Sequence, residues 1–194
     1  KRDKAFAKIK DEGPKLLIGS PMCTPFSLLQ NLSKDKGDIE HKKALLLRGI
    51  QHVKFCIKLY WHQVENNRYF LHEHPQYATS WKIPEMIELL KHPSVQRVQG
   101  HMCFYGMKSR DDKGEGLVKK PTGWATNSPF IAEQVSHQCM NRWSANKHRH
   151  VPLMSGRAKA AEVYPVKLCL AILKGFRNQF IHDGILNLGE IGTV

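Results

Sequence analysis

Strand, helix, strand, helix: this order along the first ninety residues predicts an α/β fold built on a parallel sheet. Two short apolar runs carry the prediction. Leu16-Leu17-Ile18-Gly19 ends abruptly in Ser20-Pro21, and Tyr69-Phe70-Leu71 ends in His72-Glu73-His74-Pro75. Between them lies a long stretch, about 39–64, in which Leu46, Ile50, Val53, Ile57, Tyr60 and Val64 recur at three- and four-residue steps. That spacing gives a helix with one apolar stripe. A right-handed crossover through such a helix puts both strand ends on the same sheet edge.

The other elements follow from local chemistry. Residues 1–12 read as a helix stopped by Gly13-Pro14, and 15–19 as the first strand. Residues 20–38 form a loop. Asn66-Asn67 ends the long helix, and 68–72 is the second strand. Pro84 suits the first turn of a short helix, which His92-Pro93 stops. Residues 95–104 read as a third strand weakened by Gly100, 106–120 as an exposed polar turn, and 121–129 as irregular. A helix at 130–140 and a basic loop at 141–157 come next. The last helix covers 158–176, with Pro165 as either a break or a second start. One domain over 1–180 and a Gly-rich tail over 181–194 are expected.

Composition narrows the function classes. With 194 residues, 41% hydrophobic and 24% charged, the chain is long enough for one real core and is not of disordered composition. No apolar run approaches the roughly 20 residues of a membrane span, and nothing reads as a signal peptide. Thirty Lys+Arg against 17 Asp+Glu give a net charge of +13. Such a surplus favours a polyanionic partner, nucleic acid first, although a solubilising surplus accounts for it too. Five scattered cysteines are an odd count and point to reduced intracellular thiols.

Cys23 and Glu73 are the candidate nucleophile and carboxylate, because each follows a strand end where α/β enzymes place their chemistry. A buried small hydrophobe and a solvated salt bridge are the plain alternatives. His72 and His74 alternate with Glu73, so either the pair or the carboxylate faces inward. Trp81 and Trp124 suit core packing or stacking on a base. His101-x-Cys103, His137-x-Cys139 and His148-x-His150 are close-spaced ligand types. None has the two-residue gap usual between paired finger cysteines, so no metal is expected, with a structural zinc clamp on the irregular C-terminal half as the alternative. Lys147 to His150 reads as a phosphate-contacting loop or a solvated one.

The segments Gly19-Ser20-Pro21-Met22-Cys23-Thr24-Pro25-Phe26-Ser27 and Leu71-His72-Glu73-His74-Pro75 resemble two motifs of DNA cytosine-C5 methyltransferases. In that family a strand ends in Gly-Pro-Pro-Cys-Gln-x-Phe-Ser and a later one in Glu-Asn-Val. The stretch Ala161 to Ile172, with Pro165-Val166 before an apolar run, is similar to the family's final helix motif. Most of residues 15–175 also resembles divergent methyltransferase-like segments of copia-type retrotransposon polyproteins, which share Glu-His-Pro, Lys119 to Thr122 and Thr126-Asn127. Met22, Thr24 and His74 depart from the methyltransferase pattern.

The resemblance implies a partial Rossmann-like sheet with flanking helices, its N-terminal strands missing. It implies Cys23 attacking C6 of a cytosine flipped out of DNA, with Glu73 holding N3 and the exocyclic amine. Ser20, Pro21 and Ser27 would shape the base pocket, and Lys119, Lys120 and Arg149 would meet phosphates. The implied cofactor is S-adenosylmethionine, whose Gly-rich strand and ribose-binding acidic residue are not evident here and would lie upstream or have been lost. The alternative is a catalytically inactive nucleic-acid-binding module. An intracellular location is expected, nuclear for a eukaryotic mobile element.

Overall fold

The computed structural model describes residues 1–26, 39–141, 143, 145, 147–154 and 156–187. Ser27 and the last seven residues of the expected tail lie outside them. The chain divides into two units: Lys1–Arg97 with Ala125–Asn127, and Val98–Trp124 with Ser128–Val194. It is mixed α/β, with five α-helices among the described residues.

The first unit follows the predicted order. Helix α1 (Arg2–Glu12) ends where Gly13 takes a left-handed conformation, φ 53°, and returns its N–H to the Ile9 carbonyl. Strand β1 (Leu16–Gly19), helix α2 (Ile39–Glu65) and strand β2 (Tyr69–Pro75) come next. β1 and β2 pair in parallel, Leu16 opposite Tyr69 through Gly19 opposite His72. Helix α3 (Pro84–Lys91) starts on its proline as expected. Val53, Ile57 and Tyr60 on the α2 stripe pack with Phe70, Trp81, Met86 and Leu89 into the unit's core.

Strand β3 (Gln96–His101) and strand β6 (Pro121–Thr126) each carry residues of both units. The sheet order is β1-β2-β6-β3, and the sheet is mixed where a parallel one was expected. β6 corrects the irregular reading of 121–129. Thr122, Trp124, Ala125 and Thr126 are all fully buried, as an inner strand covered on both faces requires. Such a strand shows no polar–apolar alternation. Its proline sits at the first strand position, where no ladder bond is lost. Asn127 then anchors the strand end: its amide oxygen accepts from the Phe70 N–H and its amide donates to the Arg68 carbonyl, both at 2.9 Å.

The second unit corrects one further reading and decides another. The polar stretch 106–120 is a hairpin, with β4 (Lys108–Asp111) antiparallel to β5 (Gly114–Leu117). Pro165 is the N-cap of helix α5 (Val166–His182), a start and not a break. That helix packs on α4 (Pro129–Val135) with no room at Gly175, where a Cβ would lie 2.7 Å from the Phe130 carbonyl oxygen. Ser128 caps α4 by accepting from the Ile131 N–H, and it donates to Gln179 of α5.

Candidate functional site

In the first unit, the parallel register that sets Gly19 beside His72 brings the next residues, Ser20 and Glu73, together. The hydroxyl of the exposed Ser20 donates to Glu73 Oε2 at 2.5 Å, and Glu73 as a residue is only 5% exposed. Both residues were predicted site residues, and the structure joins them. Pro21 is buried, and Phe26 is buried in the core. Gly49 on α2 makes room for that loop, since a Cβ there would come 2.7 Å from Pro25 and 3.1 Å from Phe26. Cys23 stays half-buried between those two anchors, and its carbonyl accepts from the Phe26 N–H at 3.0 Å. Three peptide units separate it from Ser20, so their Cα atoms lie within roughly 11 Å.

The histidines flanking Glu73 belong to the core. His72 and His74 are both fully buried, on the strand face opposite Glu73. His72 Nδ1 meets the Tyr60 hydroxyl at 2.9 Å, and His74 Nδ1 meets the Ser80 hydroxyl at 2.5 Å. Both rings lie edge-on to Trp81. Burial, reinforced by the neighbouring His74, holds the His72 pKa well below the usual imidazole range, so His72 is neutral.

The glycine that ends β1 is filled by Tyr60: a Cβ on Gly19 would lie 1.8 Å from the Tyr60 hydroxyl. That glycine accommodates a core side chain.

The expected phosphate contacts divide. Lys119 is exposed. Lys120 donates to the Ala161 carbonyl at 3.0 Å. Arg149 Nη1 donates to both oxygens of Asp111 at 2.9 Å, and Nη2 donates to the Gly114 carbonyl. The guanidinium holds the Asp111 carboxyl below its usual range. Arg149 therefore fastens its loop to the β4–β5 hairpin. Ser27 lies outside the described residues.

The second unit gathers a different set. Cys103, Cys139, His148 and His150 place one ligand atom each within 4.8 Å of one another. Cys139 Sγ is 3.5 Å from the Nε2 of both histidines, whose Nε2 atoms are 2.8 Å apart. Cys103 arrives on the short turn after β3, and His150 forms an isolated parallel bridge with Leu117 of β5. Burial, then contact with Cys139, pushes the Cys103 thiol up to about 12. Burial, then His148 and Lys119, pulls His150 down. Each of the three close-spaced pairs in the sequence contributes, but the first two give only their cysteine. His101 instead accepts the Cys139 N–H on Nδ1 at 2.8 Å, and His137 stacks on Phe104.

Compared with protein-family models, curated proteins and solved structures, the chain matches none of them. No helix among the described residues is long and apolar enough to cross a membrane.

Proposed function

We propose that the first unit carries a base-binding half-site of the cytosine-C5 methyltransferase kind, with Cys23 as nucleophile and Glu73 as the group that reads the base. The single observation behind this reading is the Ser20–Glu73 hydrogen bond across adjacent parallel strand ends. It holds a buried carboxyl beside the loop that presents a half-buried thiol. The net charge of +13 suits a nucleic-acid partner, DNA under this reading, with the base turned out of the stack to reach the pocket.

The chemistry asks little of the residues beyond placement. Cys23 loses its proton to solvent, and its Sγ forms a bond to C6 of the pyrimidine. The C5–C6 π pair shifts through C5 and C4 onto N3, which takes a proton from solvent and is held by the Glu73 carboxyl group. Ser20 orients that carboxyl through its other oxygen. Reversal restores the free base and thiol. A methyl transfer to C5 would draw on S-adenosylmethionine.

The test is covalent capture of the full chain on duplex DNA containing 5-azacytosine, whose ring nitrogen makes C6 electrophilic enough to hold a thiol without a methyl donor. A denaturing gel should show an adduct that Cys23→Ser abolishes. Salt-sensitive binding with no adduct, unchanged in Cys23→Ser, would replace this reading with a nucleic-acid-binding module that performs no chemistry.

A further inference from the structure

We propose that Cys103, Cys139, His148 and His150 bind one zinc ion as a closed tetrahedral site that fastens Cys139 and the His148–His150 loop to the turn after β3.

Geometry carries the inference. Zinc–sulfur bonds of about 2.3 Å and zinc–nitrogen bonds of about 2.0–2.1 Å give tetrahedral S–N edges of about 3.5 Å and N–N edges of about 3.3 Å. Both Cys139 Sγ–Nε2 separations are 3.5 Å. The His148–His150 edge, 2.8 Å, has to open by roughly half an ångström, a small movement for two side chains on a loop. Both rings present the same nitrogen, Nε2, to the centre. All five cysteines of the chain are free thiols, so the Cys103 and Cys139 sulfurs are available as ligands.

The surroundings are those of a built site. The Cys139 N–H is held by His101 Nδ1 at 2.8 Å, which fixes the sulfur-bearing residue. Asn141 brackets the His148 peptide: its oxygen accepts from the His148 N–H at 2.7 Å, and its amide donates to the His148 carbonyl at 2.8 Å. Leu117 and residues 149–151 exchange backbone bonds, Leu117 N–H to Arg149 and Val151 N–H to Leu117. The ligands are thus positioned from three directions by groups that do not touch the centre.

The donor set selects the ion. Two thiolates and two imidazoles in tetrahedral arrangement suit zinc, while calcium and magnesium prefer oxygen ligands. Four protein ligands leave no open position, so the site is structural and not hydrolytic. Binding displaces one proton from each thiol, and two thiolates balance the charge of the ion. The net effect is a neutral centre beside Lys119.

The test uses the full chain, freed of metal with a chelator and titrated with zinc or cobalt(II) alone. Zinc should bind at one ion per chain with release of two protons. Cobalt should give the intense visible bands of a tetrahedral site together with sulfur-to-metal charge transfer. Cys139→Ser should lower affinity about tenfold or more, whereas Cys169→Ser should leave it unchanged. His150→Cys keeps four ligands and guards against a variant that fails to fold: it should still bind and show stronger charge transfer. Weak six-coordinate cobalt bands, zinc binding unaffected by Cys139→Ser, or no uptake by the unmodified chain would overturn the proposal.

Discussion

The histidines of the two units show how surroundings decide what one residue type does. His72 and His74 sit on an inner strand, packed against Tyr60, Phe26 and Trp81, where ring shape and hydrogen bonds to the Tyr60 and Ser80 hydroxyls define their contribution. His148 and His150 sit on a partly exposed loop with their Nε2 atoms converging beside a thiol. The first pair is packed among aromatic rings, and burial keeps His72 neutral. The second has nitrogen and sulfur neighbours at the spacing of a coordination shell. What separates them is which atoms lie near the second ring nitrogen.

The largest break in the first unit should come from Phe70→Ala. Phe70 is fully buried and stacks on Tyr60 at 4.6 Å, and such truncations cost about 3–5 kcal/mol. Urea unfolding of the full chain measures it. Gly19→Ala is next: a Cβ against the Tyr60 hydroxyl overpacks the strand end, at about 1–3 kcal/mol. It should also weaken DNA capture, because Ser20 is the adjacent residue.

Asn141→Ala tests the second region alone. Losing both clamps on His148 should lower zinc affinity by about 10–100-fold, read by competition with a colorimetric chelator. It should leave the response of the first unit to Gly19→Ala intact.

The smallest effect is in pH. His72 has a folded pKa depressed below its unfolded value, so below about pH 6.5 the unfolded chain binds the extra proton. Its contribution to stability is full above about pH 6.5 and is lost as pH falls, at about 1.4 kcal/mol per pH unit for a single group. Chemical denaturation between about pH 7.5 and 5.5 should show this slope, flattened in His72→Phe.

Sequence reading succeeded where the signal is local. β1, α2 and β2 each display their own apolar period, and the strand ends follow from handedness, which is why Cys23 and Glu73 could be assigned to one sheet edge before any coordinates, whereas the Ser20–Glu73 hydrogen bond could not. It failed at β6, because a strand covered on both faces shows no alternation, and its Pro and Gly argue for a loop. The Cys/His centre was visible as ligand types but set aside on spacing within each pair. Its four ligands are scattered over Cys103 to His150 and meet only through the hairpin, the bridge at Leu117 and the clamp at Asn141. No short-range spacing encodes that. Arg149 was misplaced for a related reason: its partner, Asp111, lies on the hairpin that the sequence presented as a turn.

The most direct trial of the functional reading is to map which cysteine carries the 5-azacytosine adduct, by peptide mass spectrometry on the full chain. Cys169 is exposed and offers an indiscriminate target, whereas Cys23 is only half-buried and must be activated to compete. The account predicts the nucleotide on the peptide containing Cys23, with Glu73→Gln reducing it and Cys169→Ser leaving it unchanged. An adduct confined to Cys169, or spread over the thiols in proportion to exposure, would contradict it.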